Sequence, residues 1–166
     1  MLYLEIIILC SLFFILCYIG TGTDEKNLKS YDSYPNEVQK RIREIDEYSG
    51  KFKERNVYVT FFSNLVLFLV LFFIMGICIR KKIFTQNFLN LFILGQALNI
   101  FDLVFIDLIW WRNAKRIRFS KIPQKELYQN PRKHIDSFLR ATIMYTAVAA
   151  IDGYLLTLFL IASNPI

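Results

Sequence analysis

Four long apolar runs constrain this chain more than any other feature. They cover residues 2–20, 57–79, 86–111 and 139–162, and a helix needs about 20 such residues to cross the hydrocarbon of a bilayer. Hydrophobic residues make up 55% of the 166 residues, and the mean hydropathy is +0.37. A soluble domain of this size needs no such runs, and backbone in hydrocarbon must satisfy its own hydrogen bonds. The sequence predicts an all-α fold, a polytopic membrane bundle of four transmembrane helices in one domain, residues 1–166.

Two hydrophilic segments, residues 21–56 and 112–138, separate these runs. The first begins with turn-forming residues, which predict an extended or irregular stretch up to Pro35. Beyond it, Val38, Ile42 and Ile45 recur at helical spacing, with Ser33 available as a cap and Gly50 as a stop. This pattern predicts a short amphipathic helix of about four turns. It fits either a lid or docking helix, or a solvated connector on the lipid headgroups.

The third run is longer than a perpendicular crossing requires. Either one tilted helix continues through it, or the segment dips into the membrane and returns near Gly95; we favour the continuous helix because no proline helps a turn. The last helix is predicted to start at Asn130 and Pro131, an asparagine cap followed by proline at the first helical position.

The distribution of positive charge predicts the orientation. Residues 21–56 hold eight and residues 112–140 hold nine of the chain's 20 Lys and Arg residues, so the positive-inside rule places both hydrophilic segments in the cytoplasm of a cell-membrane protein. The compact tract at residues 80–82 argues the other way. The formal charge of +6 lies beside apolar spans, which favours anionic lipids over nucleic acid as the partner.

Cysteine and histidine usage argues against several kinds of site. Cys10, Cys17 and Cys78 all lie within apolar runs, and the chain has one histidine. With no C-x-x-C spacing and so few ligands, the chain supports neither a disulfide framework nor a zinc site. We therefore predict no metal and no cofactor.

Acidic residues inside the membrane are costly and often functional. At 100° per residue, Gln96, Asn99, Asp102 and Asp107 share a polar arc of the third run. The fourth run offers a matching face with Tyr145 and Asp152, and Ala149 and Gly153 form a small-xxx-small contact on it. We predict an intramembrane polar site made of Gln96, Asn99, Asp102, Tyr145 and Asp152. Three interpretations compete: hydrogen-bonded glue between helices, a cation or proton site, and an embedded enzyme.

The third run ends in two tryptophans and a cluster of cations. This pattern is typical of a membrane interface, where indoles lie at headgroup depth and basic groups meet phosphate. The alternative is a defined phosphate site that holds a lipid headgroup or a phosphorylated solute. The predicted interfacial residues are Asp107, Trp110, Trp111, Arg112, Arg116, Arg118, Lys133 and His134.

Five stretches together resemble a family of small, uncharacterised bacterial membrane proteins that are sometimes labelled ABC transporter permeases. They are TGTDEK (21–26), YP (34–35), GQALNIFD (95–102), IDLIWWRNAKRIRF (106–119) and YQNPRKHIDSFLR (128–140). The resemblance supplies no established activity. The chain has no EAA-type coupling loop and no Walker A sequence, so any ATPase is a separate chain.

From these features we expect a non-enzymatic membrane protein with an intramembrane acidic site, either a transport-related or accessory subunit. Four helices leave little room for a transport pathway enclosed by one chain. We therefore expect a homo-oligomer, or a partner membrane or ATPase subunit. The alternative is a membrane-embedded enzyme that binds or modifies lipids and uses residues 112–140 to hold a phosphate headgroup.

Overall fold

The computed structural model describes residues 1–163, which form an all-α fold, and the predicted fold class is confirmed. Six helices and three short 3₁₀ turns make up this part of the chain. The helices are α1 Leu2–Ile19, α2 Asp24–Leu28, α3 Asn36–Glu44, α4 Val57–Ile79, α5 Phe84–Phe101 and α6 Arg132–Ser163. Helix α5 continues without a break into a π-helical segment, Asp102–Trp111.

Four of these elements are long and apolar enough to cross a membrane, so the chain is a multi-pass membrane protein. The third span is continuous over Phe84–Trp111, and the re-entrant hairpin is therefore excluded. Helix α6 begins at Arg132, whose backbone N–H donates to Oδ1 of Asn130 at 3.1 Å. Asparagine thus caps this helix as the sequence predicts.

The fold divides into two compact units. Unit 1 contains Met1–Cys10, Val57–Ile100 and the part of α6 that starts at Leu139. Its helices meet through small residues: a Cβ added at Gly76 would contact the side chains of Leu91 and Leu156. Elsewhere α4 exposes apolar side chains such as Val66 and Ile74, as a helix in lipid should.

The side chain of Asn87 hydrogen-bonds to two other elements of unit 1. Its Oδ1 accepts the backbone N–H of Lys81 at 2.6 Å, and its Nδ2 donates to the backbone oxygen of Lys81 at 2.8 Å. The same Nδ2 donates to Oγ1 of Thr157 on α6 at 2.9 Å. One buried amide therefore holds the α4–α5 loop, α5 and α6 together.

Unit 2 contains Ser11–Asn56 and Phe101–Phe138, and both hydrophilic segments fold into it. Tyr34 is fully buried at its centre, with ring centroids 5.3 Å from Trp111 and 5.0 Å from Phe119. Its hydroxyl donates to the backbone oxygen of Ile117 at 2.9 Å. The core of this unit comprises Leu28, Tyr31, Tyr34, Val38, Ile42, Tyr48, Trp111, Ile117, Phe119, Ile122 and Tyr128.

The structure corrects three predictions for the first hydrophilic segment. The stretch before Pro35 is not irregular, because it contains α2 and a 3₁₀ turn at Tyr31–Ser33. Helix α3 is nine residues long, and its N-terminus at Pro35 has no side-chain cap. The apolar stripe is confirmed, with Val38 and Ile42 fully buried, but it packs into a core instead of forming a solvated connector.

Asp24 ties the two hydrophilic segments together by hydrogen bonds. It accepts bonds from the hydroxyl of Tyr48 and from the backbone N–H and hydroxyl of Ser120. Partial burial alone would raise the pKa of Asp24, but these bonds outweigh it and lower that pKa below its usual range. The carboxylate therefore stays charged and acts as a fixed acceptor within unit 2.

Candidate functional site

The π-helical segment at the end of the third span changes the arrangement of its acidic residues. Ten residues, Asp102–Trp111, follow this geometry, in which residue i bonds to residue i+5. Asp102 and Asp107 therefore lie one turn apart on the same face, whereas the α-helical wheel separates them by about 140°. Segments of this kind are rare and occur frequently at functional sites.

Asp107 forms a buried pair with the single histidine of the chain. Its Oδ1 lies 2.9 Å from Nδ1 of His134, and the exposed fractions of the two side chains are 13% and 6%. Helix α6 begins two residues before His134, so the first turn of that helix delivers the imidazole to the π-helical segment. A carboxylate on Nδ1 fixes which ring nitrogen remains available.

Asp102 and Cys17 complete the group of titratable side chains around this pair. Asp102 interacts electrostatically with Asp107, and Cys17 on α1 lies within electrostatic range of both carboxylates. Three elements of unit 2 thus bring two acids, one imidazole and one thiol together. Sequence analysis assigned Asp102 and His134 to two different sites, and the structure joins them through Asp107.

Two buried nitrogen atoms beside this pair have no hydrogen-bond partner among the described residues. They are Nε2 of His134 and Nε1 of Trp111, and the two rings lie 5.9 Å apart in an edge-on arrangement. An unmet donor or acceptor costs about 1–3 kcal/mol when it is buried. One nitrogen of the imidazole therefore makes no hydrogen bond within the described part of the chain.

The predicted intramembrane polar site is brought together in part. Within unit 1, Gln96 donates to the backbone oxygen of Thr142 at 3.3 Å, and Asn99 donates to its hydroxyl at 3.0 Å. Tyr145 is buried one turn further along α6, where its ring stacks on Phe72 at 5.6 Å. Hydrogen bonds and packing of this kind hold neighbouring membrane helices together.

Asp152 belongs to unit 1, where α6 packs closely on α5. A Cβ on its neighbour Gly153 would come within 3.0 Å of the backbone nitrogen of Phe88. Asp102 belongs to unit 2, and the predicted pairing of these two carboxylates stays a prediction.

Arg116, a predicted phosphate contact, donates hydrogen bonds to the backbone at the end of α1. Its Nη2 donates to the backbone oxygens of Tyr18 and Thr21 at 2.9 and 2.8 Å, and its guanidinium lies 3.6 Å from the centroid of the Tyr18 ring. The last carbonyls of a helix need donors, and a cation there also complements the helix dipole. Gly22, with φ of 108°, leaves the space that this guanidinium fills.

Among the other predicted interfacial residues, the tryptophans pack against protein side chains and two of the cations donate hydrogen bonds to backbone oxygens. Trp111 is 7% exposed and belongs to the core of unit 2, so protein side chains surround its indole ring. Trp110 packs against Phe14 with ring centroids 5.5 Å apart. Lys133 donates to the backbone oxygen of Asp32 at 3.4 Å, and Arg118 donates to that of Asn113 at 3.1 Å.

Arg112 differs from these cations. Its Nε is buried and has no hydrogen-bond partner within residues 1–163, although the backbone oxygen of the same residue accepts from Gln129 at 2.8 Å. Of the predicted phosphate ligands, Arg112 alone keeps a guanidinium for which no hydrogen bond is found among the described residues.

Two asparagines that link several segments within each unit were not identified from the sequence. Asn87 fastens the α4–α5 loop, and Asn27, which is 1% exposed, joins α2 to residues 116 and 117. Asn87 stands at the start of an apolar run, which was a signal, whereas Asn27 lies among other polar residues that gave none. Their partners lie on distant or irregular backbone, which no local pattern identifies.

No family model, curated protein or solved structure matches this chain.

Proposed function

We propose that this protein is a transport-related membrane subunit that exchanges protons through the group formed by Asp102, Asp107 and His134. The observation that carries the proposal is the buried 2.9 Å contact between Asp107 and His134 on a π-helical segment that also holds Asp102. Intramembrane acids and histidines are typical of proton relays in pumps and transporters. Histidine is also the side chain whose charge changes most readily near neutral pH.

The side chains of this group favour a proton over a metal cation as the bound species. No three His, Cys, Asp or Glu side chains among residues 1–163 are placed to share one metal ion. Asp102 and Asp107 lie one π-helical turn apart and interact electrostatically. Nε2 of His134 has no hydrogen-bond partner among the described residues and is the third group at which a proton could be held. These features favour proton exchange over binding of a hydrated cation.

The lipid-enzyme alternative has less support. A phosphate site needs several convergent cations, and Arg116 and Lys133 already donate to backbone oxygens of this chain. Arg112 remains, but one guanidinium does not by itself make a lipid-modifying site, which also needs a nucleophile and a base.

Proteoliposomes with a trapped pH indicator test the proposal. We expect the wild-type protein to dissipate an imposed pH gradient faster than empty vesicles do, because the acid–imidazole group passes protons. Asp107→Asn and His134→Gln are expected to lose most of this excess rate. Asp136→Asn is the matched control, since Asp136 is an exposed acid two residues from His134, and it should keep the wild-type rate.

Equal rates for wild-type protein and empty vesicles would contradict proton exchange by the isolated subunit. Equal rates for all four proteins would show that the pathway avoids this group. Mild-detergent purification shows separately whether a second membrane subunit or an ATPase accompanies the chain.

The proposal also places residues 21–56 and 112–138 at the cytoplasmic face of the cell membrane. Both segments fold into unit 2, which carries most of the Lys and Arg residues, and positive charge favours the cytoplasmic side. A Lys40→Cys variant, exposed on α3, is expected to resist a membrane-impermeant thiol reagent added outside intact cells and to react after lysis. Labelling in intact cells would reverse this orientation.

A further inference from the structure

A second buried acid lies in unit 1, outside the group described above. Asp152 on α6 is 1% exposed, and its Oδ2 is buried without a hydrogen-bond partner in the described part of the chain. Val148 and Leu156, one turn before and after it, are also buried. The carboxyl group therefore lies on the core-facing side of α6.

The neighbouring polar side chains, Asn87 and Thr157, already make hydrogen bonds to other groups. The amide of Asn87 uses its oxygen and its nitrogen on Lys81, and also donates to Thr157. The hydroxyl of Thr157 in turn donates to the backbone oxygen of Gly153 at 2.8 Å. This network stabilises the helix contact and leaves no donor from these residues for Oδ2 of Asp152.

No cation compensates the carboxyl group. Helices α4 and α5 contain no Lys, Arg or His, and no ion pair between residues 1 and 163 includes Asp152. Arg80, Lys81 and Lys82 of the α4–α5 loop are exposed. The remaining titratable side chains on the elements of unit 1 are Tyr3, Glu5, Cys10, Tyr58, Cys78, Arg140, Tyr145 and Tyr154.

The choice of ligand follows from these surroundings. A metal cation needs several oxygen ligands at once, and the amide and hydroxyl oxygens of this network already have partners. An isolated carboxylate in apolar surroundings is very costly, whereas the protonated acid is neutral. We propose that Asp152 is a proton-binding site in the core of unit 1, where it reacts as a neutral carboxylic acid. This site goes beyond the proposed function, because it shares no residue with Asp102, Asp107 and His134.

A hydrophobic carbodiimide, dicyclohexylcarbodiimide, tests this proposal. The acid O–H adds across one C=N bond to give an O-acylisourea, and migration of the acyl group to nitrogen gives a stable N-acylurea; all atoms of both reactants remain in the product. We expect peptide mass spectrometry of the detergent-solubilised wild-type protein to find one carbodiimide mass on Asp152. The yield should fall several-fold from mildly acidic to alkaline pH.

Three variants and a second reagent test whether the modification is specific to Asp152 and to its apolar surroundings. Asp152→Asn should lose this adduct, while Glu5→Gln should keep it, which separates Asp152 from the other acid of unit 1. A water-soluble carbodiimide should label exposed acids such as Asp136 and leave Asp152 unmodified. Asp107→Asn should also keep the Asp152 adduct, so this proposal and the proposed function fail independently.

Absence of an adduct at Asp152 in the wild-type protein, or a yield that does not change with pH, would overturn the proposal. Because the wild-type peptide is mapped directly, this conclusion does not depend on whether Asp152→Asn folds.

Discussion

Replacing Asn27 with leucine is expected to destabilise unit 2 by several kcal/mol. The side chain of Asn27 accepts the backbone N–H of Gly22 at 3.2 Å and donates to the backbone oxygens of Arg116 and Ile117 at 3.0 and 3.2 Å. Leucine has nearly the same volume but leaves these groups without the amide. Each buried group left unpaired costs about 1–3 kcal/mol, and a domain has only about 5–15 kcal/mol in total.

Hydrogen–deuterium exchange in detergent measures this effect. We expect the backbone amides of residues 24–44 to lose protection in Asn27→Leu, because α2 and α3 pack on the segment that Asn27 holds. Asn36→Leu is the matched control, since Asn36 is exposed at the first residue of α3 and should change stability by no more than about 0.5 kcal/mol. Unchanged protection in Asn27→Leu would show that the aromatic core alone maintains unit 2.

Replacing Gly153 with valine is expected to separate α5 from α6. A Cβ at this position would lie 3.0 Å from the backbone nitrogen and 3.1 Å from the Cα of Phe88. Backbone atoms cannot rotate away as a side chain can, so the two helices must move apart. Overpacking of this kind costs about 1–3 kcal/mol, and the shift would also weaken the bond between Asn87 and Thr157.

The thermal midpoint of the purified protein in detergent should fall in Gly153→Val. Ala147→Val adds the same side chain on an exposed part of α6 and should leave the midpoint nearly unchanged. If the two variants behave alike, the α5–α6 contact tolerates a larger separation than its geometry indicates, and the small-xxx-small interpretation of Ala149 and Gly153 loses its support.

Patterns within a single segment predicted the fold well. The four apolar runs became four helices of spanning length, and the spacing of Val38 and Ile42 identified the buried face of α3. Asn130 and Pro131 marked the start of α6. Each of these features depends on hydrophobic periodicity or on capping within a few residues, so the information lies in the local sequence.

The candidate site depended on geometry that no local pattern carries. A wheel drawn for an ordinary α-helix put Asp102 and Asp107 at the two edges of one polar arc, about 140° apart, because nothing in the sequence indicated i→i+5 bonding. Sequence analysis grouped Arg116 with the phosphate ligands by its charge, whereas its partners are carbonyls at the end of α1.

The sequence alone determined that this chain forms spanning helices, since apolar surface of that length has no stable place in water and its backbone must bond within itself. Tertiary structure alone decided which polar groups meet. It folded two hydrophilic segments around Tyr34 and Trp111, assigned Arg116 to a helix end, and placed His134 on Asp107. The physical reason is that hydrogen bonds and ion pairs form between atoms within about 3 Å, and distant segments reach that separation only after packing has fixed their positions.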